Sequence, residues 1–353
     1  MTTVMDAPAV LPQPDTGSAP PPAAGQAPPS GRRRRKAVLL LLMLALLSIL
    51  LVIASWYLLF RKPIEQLPLP GLTDTTVPHF TYNIYGAQTP VGVAVSPSGD
   101  RVYVAETGGD RALLVFDGRG DLLAKASPPN TTPGGRVPVY IAVSPTTGEV
   151  YVSDRYAGAI FIYGRDGQYL RRYQPDPAVS AWAPLGLAFD RKGDLYVGDV
   201  APSTQRVLEF DATNKLVRTV VPAGTLAYPN GLAVDSAGDL FVADGNNGRL
   251  MVYDAAGRHI GTVSRGVASG DLGMPRGIAV DDEGHIYVVD TSGHDAQVYV
   301  IDSSTHRPRW IGSMGQEGRA DGSFEFPNGV ATDTRGRVYV ADTQNDRIQV
   351  WSY

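Results

Sequence analysis

Six acidic residues recur at a nearly constant interval along the chain and are its first candidates for chemistry. Successive members are 48, 45, 45, 46 and 52 positions apart. Carboxylates can ligate cations, transfer protons or accept N–H bonds within turns. Because a side chain present in every copy of a repeat serves every copy, we interpret the six as structural acceptors of turn N–H groups rather than as a metal or ligand ring. They are Glu106, Asp154, Asp199, Asp244, Asp290 and Asp342.

Each acid closes the second apolar run of a repeat that begins at a proline. A repeat passes from a first apolar run through a Gly-rich turn to the acid, and then through a third apolar run and a more polar fourth one. Four short strands repeated at this interval are typical of propeller blades. The sequence therefore predicts an all-β, six-bladed β-propeller over residues 77–353. The prolines are Pro90, Pro138, Pro184, Pro229, Pro275 and Pro327.

The two ends of the repeat array complement each other. The sixth repeat stops at Tyr353, after its third run, and so lacks a fourth strand. A strand-like segment without a blade of its own, residues 79–86, precedes the first repeat. We expect this segment to form the outer strand of the last blade, because that pairing joins the ends of the ring and removes an open sheet edge.

The residue after each repeat proline is a candidate for binding. In propellers of this kind these positions share one face with the ends of the second strands, around the central channel. One half of the mouth would be apolar and the other polar with one cation, which suits a small molecule, a peptide terminus or a partner loop. The six residues are Val91, Val139, Leu185, Asn230, Arg276 and Asn328.

Aromatic residues in the links between repeats add to the same predicted face. Trp182 and Tyr228, together with Tyr173 and Met274, could be exposed there or could pack between blades. The predicted ligand or partner site comprises Val91, Leu185, Asn230, Arg276, Asn328, Trp182 and Tyr228. We assign no catalytic residue, no metal ligand and no cofactor.

The amino-terminal region has a different composition. Residues 1–36 are rich in proline and end in five consecutive basic residues, Arg32 to Lys36, so we expect a disordered tail. Residues 37–60 contain no charge and are enough to cross a hydrocarbon core of about 30 Å as a helix. A cleaved signal peptide is disfavoured by the length of this run and of the tail before it.

The charges that flank the apolar run predict its orientation. Five basic residues precede it and only Arg61 and Lys62 follow, so the tail should stay cytoplasmic and the propeller should be extracytoplasmic. Residues 61–76 contain three prolines and are interpreted as a stalk. The sequence thus predicts a single-pass membrane protein.

Charge also bears on the kind of partner. Residues 63–353 hold 24 basic and 33 acidic residues, a formal charge of −9, which disfavours binding to a nucleic-acid backbone. The chain has no cysteine, which excludes disulfide and thiolate chemistry.

The repeats resemble the NHL family, whose motif is Pro-x-Gly-Ile-Ala-Val-Asp followed by Gly-x-Ile-Tyr-Val-Ala-Asp. The segments Pro275–Asp281 and Ile286–Asp290 carry the resemblance most clearly, and all six copies together span about four-fifths of the chain. The second copy departs from the pattern, with Tyr140 at a glycine position and Gly164 at an aspartate position. The resemblance implies a binding or scaffold domain of the exported, membrane-held kind.

Enzymes built on six-bladed propellers supply the alternative, a hydrolase or lyase acting at the channel mouth. Asn230 resembles the asparagine of lactonases that hold a divalent cation, but Val91 and Arg276 stand where that family's acids are expected. Zinc-dependent propeller lyases need several channel histidines. The five histidines are instead expected on the closing segment, in turns and on outer strands: His79, His259, His285, His294 and His306.

Overall fold

The computed structural model describes residues 38, 40–51, 77–180, 182–266 and 268–353. The chain divides into two compact units, residues 1–54 and 55–353. In the first, residues 40–51 are helical. No helix among the described residues has the length and apolar character needed to cross a membrane. The tail 1–36, the stalk 61–76 and residues 37, 39 and 52–60 of the predicted span lie outside the described residues, so the anchor stays a prediction.

The described part of the second unit forms six four-stranded antiparallel sheets. Blade one contains β2 (Pro90–Val95), β3 (Arg101–Glu106), β4 (Leu113–Asp117) and β5 (Leu122–Ala126). Blade two contains β6 (Pro138–Val143), β7 (Val150–Asp154), β8 (Ala159–Tyr163) and β9 (Tyr169–Arg172). Blade three contains β10 (Pro184–Phe189), β11 (Leu195–Asp199), β12 (Arg206–Phe210) and β13 (Leu216–Val221).

The second half of the array repeats this arrangement. Blade four contains β14 (Pro229–Val234), β15 (Leu240–Asp244), β16 (Arg249–Tyr253) and β17 (His259–Val263). Blade five contains β18 (Pro275–Val280), β19 (His285–Asp290), β20 (Asp295–Ile301) and β21 (Pro308–Met314). Blade six contains β22 (Pro327–Thr332), β23 (Arg337–Asp342), β24 (Arg347–Ser352) and β1 (His79–Tyr85). Short 3-10 helices span Pro133–Gly135, Gly245–Asn247 and Thr343–Asn345.

The ring closes as the sequence predicts. Strand β1 pairs antiparallel with β24, with His79 opposite Ser352 and Tyr85 opposite Arg347. Ile84 is buried in the core shared by blades one and six, so the closing strand contributes to packing as well as to hydrogen bonding. The first and last segments of the propeller therefore share one sheet.

Glycines in five of the six inner strands let neighbouring strands approach one another closely. A Cβ built on Gly231 of blade four would lie 2.2 Å from the carbonyl oxygen of Arg276 in blade five, and one on Gly186 would lie 2.0 Å from that of Asn230. These distances leave no room for a side chain, because the obstructing atoms belong to the backbone. The close packing that these glycines allow brings the residues after the repeat prolines together around the central axis.

Apolar layers between neighbouring blades hold the ring together. Six buried clusters are present in the described region, and each draws its side chains from two adjacent blades. The cluster between blades two and three, for example, contains Ile160 and Phe210, both inaccessible to solvent. Because both faces of each sheet are covered, the first three strands of the blades are mainly apolar, and polar residues are more frequent on the outer strands.

Candidate ligand-binding site

One end of the central channel opens into a cavity of about 290 Å³. All six residues that follow the repeat prolines line it, so the structure brings the predicted mouth residues together. The lining also includes residues from second-strand ends and links. The complete set is Val91, Thr107, Val137, Val139, Tyr140, Arg155, Leu185, Tyr228, Asn230, Arg276 and Asn328.

The polar side of the cavity is organised by Arg276 and Asn230. Arg276 Nη1 donates to Asn230 Oδ1 at 3.0 Å, and Arg276 Nη2 lies 3.4 Å from Met274 Sδ. Asn230 is 1% exposed, so its amide is held at the base of the wall rather than at the rim. Within the described part of the chain, Arg276 Nε and Asn230 Nδ2 are buried donors that lack an acceptor.

Tyr140 crosses the channel. It starts from the inner strand of blade two, and its hydroxyl donates to Asn328 Oδ1 of blade six at 3.3 Å. Burial raises the pKa of the Tyr140 phenol well above its ordinary value, although the nearby Arg276 guanidinium acts in the opposite direction. The hydroxyl is therefore a neutral hydrogen-bond donor at physiological pH and not a base.

Blade two differs from the other blades at two neighbouring positions. Tyr140 stands on its inner strand where the other blades have glycine. Ser153 replaces the alanine, glycine or valine that precedes the acid elsewhere. Its hydroxyl oxygen accepts from the Tyr140 N–H at 3.1 Å and donates to the Leu185 carbonyl at 2.7 Å. The serine thus bridges the inner strands of blades two and three, where no glycine allows direct approach.

Tyr228 reaches the cavity through an unusual backbone conformation. Its φ of 65° lies in the left-handed region, which bulky residues rarely adopt, and it directly precedes Pro229. Hydrogen bonds on both sides hold it there. The Tyr228 N–H donates to Gln205 Oε1 at 2.6 Å, and its carbonyl accepts from Gly245 N–H at 3.2 Å.

Trp182, also predicted at the mouth, does not line the cavity. Its ring stacks on Tyr173 with centroids 6.2 Å apart and meets Phe210 edge-on at 5.8 Å. These contacts belong to the apolar layer between blades two and three. The structure therefore places Trp182 among the packing residues, which was the alternative that the sequence left open for the link aromatics.

The six repeat acids each tie the incoming link of their own blade to the turn that follows the second strand. Asp244 accepts from Ala227 N–H at 2.6 Å and pairs with Arg249 Nε at 2.7 Å. Asp154 accepts from three N–H groups, those of Val137, Tyr156 and Ala157. Since each link leads directly into the inner strand whose second residue lines the cavity, the acids help to position the mouth although none of them lines it.

In blade five the residue opposite the repeat acid is a second acid and not an arginine. Arginines pair with the acids of blades three, four and six, but Asp295 lies opposite Asp290 across β19 and β20. Burial, and secondarily the Asp290 carboxylate, raises the pKa of Asp295 to about 7. Gln297 Nε2 donates to Asp295 Oδ2 at 2.7 Å. The link held by Asp290 includes Met274, two residues before Arg276.

Sequence reasoning missed three polar residues of the cavity, Thr107, Tyr140 and Arg155. The signal for Tyr140 was visible, because it breaks the glycine pattern of the inner strands. Thr107 and Arg155 follow the acids of blades one and two directly, so the position after the acid contributes to the mouth as well. No group of three or more potential metal ligands occurs among the described residues.

Comparison with known proteins agrees with this architecture. The NHL repeat model matches residues 226–253, 272–294 and 324–351, which lie in blades four, five and six. No curated protein matches the chain.

Three solved structures have a similar fold. A streptogramin B lyase is 15% identical, with 77% of this chain and 96% of that chain covered and a TM-score of 0.52. The virginiamycin B lyase from Staphylococcus aureus is 15% identical, with 78% and 100% covered and a TM-score of 0.55. A chain of a nidogen–laminin complex is 16% identical, with 64% and 80% covered and a TM-score of 0.53.

At such low identities these similarities concern the fold alone. The family-model matches and the six sheets together confirm the expectation from the sequence that this chain carries NHL repeats and folds as a six-bladed β-propeller.

Proposed function

We propose that the protein is a non-enzymatic binding module that takes a small-molecule or protein ligand at the channel mouth. The observation that carries this proposal is the cavity of about 290 Å³, lined by a repeat position that holds valine, leucine, asparagine or arginine in different blades. The inner-strand glycines, present in five blades, and the repeat acids, aspartate in five blades and glutamate in one, serve the ring. The residues after the prolines are not uniform, and they converge on one space of a size suited to a small ligand group.

We further propose that residues 37–60 hold this module at a membrane, with the propeller on the extracytoplasmic side. The support is the uncharged run and the excess of basic residues before it. A propeller held in this way would present its ligand close to the bilayer surface. The nidogen–laminin similarity supports the compatibility of this fold with binding, although it concerns the fold only.

A cavity-filling variant tests the binding function. Val139→Trp would occupy the apolar side of the mouth, and Val217→Trp, on an outer strand where Val217 is 52% exposed, is the matched control. A fragment library is examined by saturation-transfer NMR against the full chain. We expect a set of fragments to bind the wild type and the control but not Val139→Trp. If no fragment distinguishes the filled variant from the control, the mouth is not the binding site.

The membrane anchor is tested separately. The full chain and a chain lacking residues 1–62 are expressed in the same cells, and membrane and soluble fractions are compared after a carbonate wash. We expect only the full chain to stay with the membrane and its propeller to be cut by protease added outside intact cells. Full recovery of the complete chain in the soluble fraction would exclude the anchor.

A hydrolase or lyase is the second candidate, and the fold shared with two streptogramin-type lyases is the observation that favours it. It is tested with a panel of lactones, esters and a streptogramin B, followed by mass spectrometry. Turnover that is abolished by Asn230→Ala would replace the binding-module proposal with an enzymatic one. Turnover that persists in Asn230→Ala would show that the reaction does not depend on this side chain.

A further inference from the structure

We propose that the ligand of the channel mouth is an organic anion whose carboxylate is held beside Arg276 and whose apolar part faces Val91, Val139 and Leu185. This inference rests on the proposed binding function and narrows it to one chemical class. Four properties of the described cavity support it: its charge, its donors, its apolar wall and its size.

The charge of the cavity is opposite to that of the propeller around it. Residues 63–353 carry a formal charge of −9. Among the described lining residues, however, two are arginines, Arg155 and Arg276, and none is acidic. Neither arginine makes an ion pair with another described residue, whereas Arg206, Arg249 and Arg347 at the neighbouring repeat acids do. Guanidinium groups without a carboxylate, in a partly enclosed space, favour binding of an anion.

The hydrogen-bonding groups on the polar wall supply more donors than acceptors. Arg276 Nη1 donates a hydrogen bond to Asn230 Oδ1. Asn230 Nδ2 and Arg276 Nε remain as buried donors that lack an acceptor in the described region. Buried donors are rarely left unpaired in folded proteins. An acceptor-only group such as a carboxylate would correct the imbalance once the Arg276 side chain turned toward it, whereas a metal cation or an ammonium group, which accepts no hydrogen bond, would not.

The opposite wall of the cavity is apolar. Val91, Val139 and Leu185 come from three successive blades, and Val137 adds a fourth aliphatic side chain. Asn230, Arg276 and Asn328, which come from the other three blades, form the polar side of the same cavity. A ligand that satisfies both sides has a charged end and an aliphatic end. A volume of about 290 Å³ limits it to a small acid or to the last residues of a peptide.

Matched acid and amide probes test the inference on the full chain. The probes are hexanoate and hexanamide, and the tripeptide Ala-Leu-Val with a free or an amidated carboxyl terminus. Binding is measured by isothermal titration or by ligand-observed NMR. We expect at least one acid to bind at least about tenfold more tightly than its amide, as a charge-assisted hydrogen bond predicts. Hexanoate and the peptide acid then distinguish a free organic acid from a peptide terminus as the source.

Variants assign the preference to the arginine. Arg276→Gln should weaken binding of the acid to about the affinity of the amide, and Arg276→Lys should keep part of the preference. Arg155→Gln should reduce affinity for the acid by only about twofold, because that side chain is exposed. The control is Arg258→Gln, which removes the same charge from a turn where the side chain is 82% exposed, and it should bind like the wild type.

Two outcomes would overturn the carboxylate inference. One is that neither acid binds with a Kd below about 10 mM, and the other is that acids and amides bind the wild type equally well. The binding function is judged by the fragment experiment with Val139→Trp, so the two can fail independently. Fragments that are lost in Val139→Trp and carry no negative charge would support a binding mouth and contradict an anion site.

Discussion

Blades five and six have the same acid at the end of the second strand but opposite partners on the third. In blade six, Asp342 pairs with Arg347 at 2.8 Å, and both side chains are almost fully buried. In blade five, the corresponding neighbours are Asp290 and Asp295, two carboxylates. The first arrangement neutralises a buried charge, whereas the second leaves one of the two acids easier to protonate.

The same contrast appears on the inner strands. Gly231 in blade four brings the backbones of blades four and five into direct contact. Tyr140 in blade two instead reaches Asn328 of blade six, and Ser153 links the inner strands of blades two and three by hydrogen bonds. Positions that are alike in most blades therefore build the ring, and positions that differ between blades shape its mouth. The following variants test this division, beginning with the largest expected effect.

Replacing Arg347 by methionine should produce the largest loss of stability. The substitution leaves the Asp342 carboxylate buried with fewer partners and removes donors to the carbonyls of Ala320 and Ser323. The free energy of unfolding should fall by about 3–5 kcal/mol, as measured by urea denaturation. Arg258→Met, which removes an exposed ion pair, should cost no more than about 0.5 kcal/mol. Equal losses in the two variants would contradict a structural role for the buried pair.

Gly231→Ala should destabilise the contact between blades four and five. The new methyl group would meet the Arg276 carbonyl oxygen at 2.2 Å, so one inner strand must move. We expect a loss of about 2–3 kcal/mol in the same urea experiment. Gly134→Ala makes the same substitution where no atom lies within 4 Å and should be nearly neutral. A neutral Gly231→Ala would mean that the inner strands are less closely packed than described.

Tyr140→Phe should have a smaller effect on stability and a measurable one at the mouth. It removes the hydroxyl that donates to Asn328 Oδ1 while keeping the ring. The expected cost is about 1 kcal/mol. Tyr156→Phe, at a side chain that is 69% exposed, is the control and should cost almost nothing. The bridge across the channel would be unimportant if both variants unfolded at the same urea concentration.

Asp295→Asn should change how stability depends on pH. The pKa of Asp295 is about 7 in the folded protein and near the ordinary value of 3.8 in the unfolded chain. Between these two pH values Asp295 is protonated in the folded protein and ionised in the unfolded chain. The free energy of unfolding therefore falls as the pH rises through this interval. The asparagine variant should lack that fall and be more stable than the wild type at pH 8, by at most about 1 kcal/mol because Asp295 is partly exposed.

Asp302→Asn provides a control of opposite sign. Hydrogen bonds from Ser304 and Thr305 lower the pKa of Asp302 to about 2, so its ionised form stabilises the folded state above pH 4. This variant should lose stability at pH 8, where Asp295→Asn gains it. Thermal unfolding of both variants at pH 5 and pH 8 measures the difference. A loss of stability at pH 8 in Asp295→Asn would show that burial does not destabilise the ionised Asp295 carboxylate.

The sequence alone determined the blade number, the closing strand and the identity of most mouth residues. These features depend on local patterns: a period of about 45–52 residues, alternating apolar runs, and a final repeat one strand short. Because each blade repeats the same covalent pattern, equivalent positions in sequence become equivalent positions around the axis. The residue after each proline could therefore be assigned to the channel without coordinates.

Only the tertiary structure decided which of these residues interact. The bridge from Tyr140 to Asn328 joins positions 188 residues apart, and the packing of Trp182 on Tyr173 and Phe210 depends on how two blades meet. The opposition of Asp290 and Asp295 likewise depends on strand register. Such contacts are set by the distance and angle between blades, which a repeating pattern leaves open, and so they appear only when the ring is closed.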